Sequence, residues 1–510
     1  MELKLAKEQA VCVCDALDCE ITQAAEHDFL LPDYCPDIFR VLKCSIVPAV
    51  TSSGMNGSRL TFDLDIAIRV LYRSENGGIC CVEHSGQFTR SADVPGDVRA
   101  PFVRIDPAVQ SVSCRVVDKR RLEVRGNVSC RVRVETEKLC EIVSGASGGG
   151  IQLRKQPTVY PAKRLTAAKR ITVIEELELA EGKPPFGTMI RSGVTVSGGE
   201  GSRSVQLKVI PGKLVTKGEA AVQLLYLPKQ QGSAPEVMRF SIPFSQIIDI
   251  AGLEEDWEIY TSVTPAGCKL TPSSEERVLE CELILTVNIC AVKYESAELV
   301  TDAYSTRCEI SCESTPGLVR APGKRVGLGA EAKCSLGSPD GSISQVYDVW
   351  SDGLDLFSRY DETKGGGLVY GKLTFCMLGR LSDGTACYCE REAAFEQVVQ
   401  LRPDELEGAQ TSAQLPVCSY TLGDDGTVQA KAALDISLTT AAAESGRLIG
   451  SIKLDEEHPK KRAGKCAVKI CYTETPGSLW DIAKKYSTEA AAISDENPAD
   501  GRVTIIPMKN

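Results

Sequence analysis

The sequence predicts a mainly β protein: three β-rich, sandwich-like repeat modules followed by a small α+β unit of order β-α-α-β. Three observations carry that prediction. Long stretches alternate apolar and polar residues with a period of two. Several local patterns recur in the same order about every 150 residues along the 510-residue chain. The last 45 or so residues abandon the alternation for a helical spacing.

The repeat is read first, because a missed repeat misassigns the whole fold. The apolar patch Ile68-Arg69-Val70-Leu71-Tyr72 is matched by Val222-Gln223-Leu224-Leu225-Tyr226 and by Leu373-Thr374-Phe375-Cys376-Met377, 154 and 151 residues apart. A phenylalanine that opens a short strand follows each: Phe88, Phe244 and Phe395. A cysteine comes next in each copy, at Cys114, Cys268 and Cys418. Three markers in one order at nearly one spacing predict three modules, over 1–143, 151–304 and 305–445. Each module closes on a long alternating strand. Leu122, Val124, Val128, Cys130, Val132 and Val134 share one face, with Gly126 in the vacant slot. Leu279 to Ile289 and Val428 to Leu438 do the same. Such alternation is a half-buried antiparallel strand and excludes an amphipathic helix. Asn76-Gly77, Asp340-Gly341, Asp383-Gly384 and Asp425-Gly426 are hairpin dipeptides between strands. Gly145 to Gly150 has flexible-linker composition.

Residues 446–465 read as a charged linker that contains His458. Beyond it, Val468 to Tyr472 predicts a strand and Val503 to Pro507 a second one. Between them Ser478 and Asp481 form a capping-box pattern for a helix whose apolar face is Leu479, Ile482, Ala483 and Tyr486. Thr488 caps a second helix that stops near Asn497-Pro498.

Composition narrows the function. With 69 acidic and 58 basic residues the net charge is −11, which argues against nucleic-acid binding and adhesion to anionic lipid. Apolar runs are too short to span a bilayer, so no membrane insertion is expected. The start, Met1-Glu2-Leu3-Lys4-Leu5, lacks a secretory pattern, so a cytosolic chain is expected. There are 22 Cys and 3 His. In a reducing compartment the cysteines are expected as thiols that pack as small apolar groups. The absence of a paired C-x₂-C motif argues against a zinc site, and metal or redox use of Cys12-x-Cys14 and Cys387-x-Cys389 is left open beside their reading as core residues. A Cys81–His84 dyad would need both side chains on one face, and a three-residue step on a strand separates them. Phosphate-loop and metalloprotease motifs are absent. No enzyme activity and no cofactor is therefore expected.

Two resemblances add to this reading. Tyr472, Pro476-Gly477-Ser478-Leu479-Trp480-Asp481-Ile482-Ala483, Tyr486, Asn497 and Ile505-Ile506-Pro507 resemble a LysM domain over 466–510. That resemblance implies binding of N-acetylglucosamine glycans such as peptidoglycan, through Gly477, Ser478, Leu479, Asn497, Pro498, Ala499 and Asp500. Here Pro476-Gly477 stands where the family has Gly followed by an acidic residue, and a protein could take the place of the sugar. Trp480 is read as core rather than contact. The second resemblance rests on Leu31-Pro32-Asp33, Pro36-Asp37-Ile38 and Leu207 to Gly218, which are similar to SipL-like spore-coat proteins with SPOCS (DUF3794) repeats. It implies a non-enzymatic scaffold in the mother-cell cytoplasm, at the forespore surface. Its partner would be the morphogenetic ATPase of the coat base layer. A peptidoglycan-binding wall protein and a cell-wall hydrolase are the alternatives, the last lacking a catalytic constellation in the sequence.

Overall fold

The computed structural model describes residues 3–198, 205–230, 233–274, 277–317, 319, 323–406, 409–440, 447–460, 468–472, 478–494 and 503–507. Strands dominate it. The first stretch contains β1 (Lys4–Leu30), β2 (Ile38–Asn56), β3 (Arg59–Ser74), β4 (Ile79–Asp93), β5 (Phe102–Asp118) and β6 (Arg121–Ser147). They form two antiparallel sheets of order β1-β6-β5 and β2-β3-β4. The second stretch contains β7 (Ile151–Glu178), β8 (Phe186–Ser197), β9 (Gln206–Ile210), β10 (Lys213–Pro228), β11 (Glu236–Asp249), β12 (Glu258–Pro272) and β13 (Val278–Ser305). Its sheets run β7-β13-β12 and β8-β10-β11, and β9 extends the β8 side of β10. Then come β14 (Cys308–Ser314), β15 (Arg325–Leu336), β16 (Ile343–Asp361), β17 (Gly366–Leu381) and β18 (Ala386–Val399). The short α1 (Pro403–Leu406), β19 (Gln410–Ala413), β20 (Cys418–Leu422), β21 (Val428–Thr439) and β22 (Ile449–Pro459) follow. Here the sheets are β15-β21-β19, with β20 also on β21, and β16-β17-β18.

Each pair of sheets encloses one apolar core. The alternating faces supply it: Leu122 to Val134 in the first, Leu279 to Ile289 in the second, and Val428 to Leu438 in the third are almost fully buried. Gly126 holds its slot because a Cβ there would collide with Ile46 and meet the Ser111 carbonyl oxygen at 2.7 Å. The recurring Cys114, Cys268 and Cys418 lie on β5, β12 and β20, each against the core of its own sandwich. The Leu31 to Asp37 segment is pinned by Arg120, which donates to the Leu31, Pro32 and Cys35 carbonyls and to Asp37. Arg277 does the same in the second sandwich, donating to Leu179, Ala180 and Lys183. Tyr72 and Tyr226 close these corners by donating to Pro36 and Pro184 carbonyls.

The first and last strands outrun their sandwiches. Residues 4–15 of β1 pair with 135–147 of β6, and 151–161 of β7 with 294–305 of β13. β14 pairs with β22. These three ribbons pack into a stem around Ala10, Cys140, Ile142, Tyr160, Leu299 and Ile452. A bulge marks each transition, at residue 16 of β1 and residue 162 of β7. At the opposite end Leu71, Leu225 and Cys376, from the three matched patches, meet with Ile190, Trp350 and Leu378 in one cluster. There Gln223 donates to Asp348 across two sandwiches.

Three expectations are corrected. Residues 449–459 form strand β22 of the stem, where a charged linker is expected, because β14 needs a partner for its backbone groups. The glycine run is a tight turn rather than a flexible linker. Gly149 and Gly150 have φ of 56° and 66°, and a Cβ on Gly149 would collide with Leu454 of β22. Cys12 and Cys140 form a disulfide between β1 and β6 inside the stem, so the cysteines are not all thiols.

His27 and His84 stack face to face at 3.5 Å, with Phe29 edge-on to His27 at 4.4 Å. Burial lowers the His27 pKa, His84 adds to that, and Asp28, itself paired with Arg121, opposes it. A lowered folded-state pKa favours the neutral ring. The stabilisation is whole above the unfolded value near 6.5 and is lost as pH falls through the folded one. The melting temperature is therefore expected to drop on acidification from about pH 7.5 to about pH 5, with a shallower slope in His27→Gln. Arg277→Met removes three charge-assisted hydrogen bonds to carbonyls, so urea denaturation is expected to show a loss of about 2 kcal/mol.

Candidate functional site

The C-terminal unit is built from β23 (Val468–Tyr472), α2 (Leu479–Tyr486), α3 (Ala490–Ser494) and β24 (Val503–Pro507), with β23 and β24 paired antiparallel. Of the residues predicted for binding, Gly477, Asn497, Pro498, Ala499 and Asp500 lie outside the described residues. Ser478 and Leu479 stand exposed at the start of α2. Ser478 is the N-cap in extended conformation, but its hydroxyl makes no capping bond. Leu479 is 43% exposed and off the packed face. The buried residues are Ile482, Ala483, Ile493 and Ile506, with Trp480 and Tyr486 packed against them.

Trp480 faces the end of β13. Its indole N–H donates to Asp302 Oδ2 at 2.7 Å. Lys484, one turn on, places Nζ 2.6 and 2.8 Å from the two Asp302 oxygens. Tyr304 stands edge-on to the indole at 4.9 Å and donates its hydroxyl to the Thr488 carbonyl at 2.6 Å. Burial would raise the Asp302 pKa, but the bonds from Lys484 and Trp480 outweigh it and hold the carboxyl below its usual range. Burial pushes the Tyr304 phenol up to about 12. This is a docking joint: one carboxylate satisfies an indole and an ammonium that a helix spacing of four puts side by side. Asp302 and Tyr304 carry no motif, and their partners lie 178 to 184 residues away, so no local pattern in the sequence signals them.

The residues suspected of chemistry sit in packed surroundings. Burial pushes the Cys81 thiol up to about 12, which keeps it protonated and a poor nucleophile at neutral pH. His84 stacks on His27. Cys387 and Cys389 share a buried face of β18 in the third core, where hydrogen bonding to Cys389 and burial raise the Cys387 thiol. Among the described residues no group of three His, Cys, Asp or Glu could hold a metal ion. No helix is long and apolar enough to cross a membrane.

A cavity of about 2290 Å³ lies between the three sandwiches. Residues 48–53 of β2, 102–107 of β5, 195–197 of β8, 260–266 of β12 and 411–413 of β19 line it, together with loop residues 414–417.

Residues 202–271 match the family model described as SipL, SPOCS domain. The match spans β9 to β11 and most of β12 in the second sandwich, and it supports a SipL-like protein. No curated protein and no solved structure matches the chain.

Asp302→Ala leaves the Trp480 N–H without its acceptor and Lys484 without its counter-ion. Loss of charge-assisted bonds worth about 1.5–3 kcal/mol should speed amide exchange across α2 by about ten- to a hundredfold, with exchange of β10 unchanged.

Proposed function

We propose that this chain is a non-enzymatic scaffold of spore-coat assembly, made of three SPOCS-like modules and a C-terminal LysM-like unit. It works in the mother-cell cytoplasm at the forespore surface, where it binds protein partners that include the morphogenetic ATPase of the coat base layer. The observation that carries this reading is the SPOCS-domain match on the second sandwich, combined with the recurrence of its strand order in the sandwiches on either side. The strand-helix-helix-strand order of the C-terminal unit supports the LysM-like part. The packing of Cys130, Cys281, Cys387, Cys389 and Cys418 in the sandwich cores and the stacking of His27 on His84 support a binding role rather than a catalytic one.

The test is genetic and microscopic. In an endospore-forming host the tagged chain should ring the forespore and co-purify with the base-layer ATPase, and its deletion should leave coat material detached. A normal, attached coat in the deletion strain would sink the proposal. Exposure of Ser478 and Leu479 keeps a glycan reading in play. Titration of the full chain with a chito-oligosaccharide discriminates: no saturable heat is expected from a protein-binding scaffold, and saturable binding would favour the peptidoglycan alternative.

A further inference from the structure

Free cysteines meet in pairs at matched places in two of the sandwiches. Cys268 of β12 and Cys281 of β13 bring their sulfurs to 4.0 Å, although they stand 13 residues apart in the sequence. They are diagonal neighbours across the two strands: Cys268 lies opposite Leu283, and Cys281 opposite Leu270. Cys12 and Cys140, which are bonded in the stem, are also diagonal neighbours, across β1 and β6. In the first sandwich Cys114, the counterpart of Cys268 in the repeat, is hydrogen-bonded to Cys44 of β2. In the third, Cys418 meets the Ser351 hydroxyl instead. Core packing alone asks for small apolar groups and not for two sulfurs in contact.

The Cys268–Cys281 pair has what exchange with a disulfide needs. Cys268 is half-buried and Cys281 fully buried, so a reagent from solvent meets Cys268 first. The hydrogen bond between the thiols lowers the Cys281 pKa against burial, and it raises that of Cys268, with burial adding. The pair therefore gives up one proton more easily than two. Among the described residues β12 pairs with β13 only, and a bulge at Ala266 interrupts that pairing just before Cys268. An edge strand with a bulge can shift by the ~2 Å that separates this sulfur contact from an S–S bond of about 2.05 Å.

We propose that Cys268 and Cys281 form a thiol–disulfide exchange site, oxidised by a small-molecule disulfide such as oxidised glutathione, whose product bond fastens the edge strand β12 to β13. The Cys268 thiolate attacks one sulfur of the reagent while Cys281 keeps its proton. The reagent's S–S bond breaks, and its first half leaves as a thiolate that takes a proton from solvent. Cys281 then gives its proton to solvent and attacks Cys268 Sγ in the mixed disulfide. The second half leaves as a thiolate and is protonated in turn. Two protein thiols lose two electrons and two protons, and one reagent disulfide becomes two thiols. A dithiol reductant reverses both steps. Residues 260–266 of β12 line the cavity between the sandwiches, so the bond stiffens one of its walls.

The test incubates the native full-length protein with oxidised glutathione, blocks the remaining thiols by alkylation and maps the digest by mass spectrometry. Trypsin cuts after Lys269 and Arg277, and a glutamyl protease cuts after Glu282, which parts Cys281 from both Cys268 and Cys290. The peptides of Cys268 and Cys281 should emerge joined, lighter by two hydrogens, and should separate on treatment with dithiothreitol. Amides of β12 should exchange about tenfold more slowly in the joined form, with those of β10 unchanged. In Cys281→Ser the glutathione adduct should remain on Cys268, about tenfold above its level in the unaltered chain. The joined peptides and the slowed exchange are read on the unaltered chain, so they need no variant to fold. The proposal is overturned if Cys268 of the folded, unaltered chain stays unmodified or keeps glutathione without joining Cys281. It is equally overturned if joining occurs only in urea, or if β12 exchanges as fast in the joined form as in the reduced one.

Discussion

The pairing of the first strand with the last in each sandwich is the constraint on which the remaining architecture depends. β1 with β6 and β7 with β13 are ribbons of 27 and 28 residues, far longer than the cores they help to enclose. Their distal halves carry the sandwich faces, and their proximal halves, with β14 and β22, make the stem. Because all three ribbons end in one apolar stem, the sandwiches cannot separate without exposing Cys12, Cys140, Tyr160 and Leu299. The cluster around Leu71, Leu225 and Trp350 fastens the far end. Between these two fixed ends the sheet edges face one another across the cavity. The edges are thus hidden from casual edge-to-edge association.

Bulges are the device that lets one strand serve both regions. In β1 the residues that join the stem cluster are even-numbered, Ala10 and Cys12, and the buried ones that join the sandwich core are odd-numbered, Ala25 and Phe29. The unpaired residue 16 changes the parity. β7 repeats the change at residue 162, from Thr158 and Tyr160 to Ile171 and Leu177. This explains what was legible in the sequence. β6 from Leu122 to Val134, β13 from Leu279 to Ile289 and β21 run without a bulge across the cores, so their period-two pattern reads directly as buried strand. β1 and β7 change face midway, which blurs the pattern in the segments that build the stem. β22 was hidden for another reason: after Leu454 its residues are mostly charged and exposed, and only pairing with β14 makes it a strand.

Cysteine shows the same division between local and distant information. A thiol at the recurring position of each module reads as a small apolar group, and Cys114, Cys268 and Cys418 pack in that way. The Cys12–Cys140 bond joins residues 128 apart, and it needs the β1–β6 register, which sets Cys12 opposite Lys138 and Cys140 opposite Ala10. No spacing rule in the sequence supplies that register. The His27–His84 stack is similarly invisible, since it is made by two strands of different sheets meeting at a rim.

The docking joint decides which face of the C-terminal unit meets other molecules. Helix spacing alone puts Trp480 and Lys484 on one side of α2 and leaves their role open between core, ligand contact and joint. Asp302 and Tyr304 take up that side. The surface that stays open carries Ser478 and Leu479 at the head of α2, and Val468 and Ile470 of β23 are exposed as well. A partner that binds the docked unit therefore meets these residues. One that needs the indole of Trp480 must first break the bonds to Asp302, and it gives up part of its own binding free energy to do so. Recognition through the head of α2 and recognition through Trp480 are for this reason mutually distinguishable: weakening the joint leaves the first unchanged and strengthens the second.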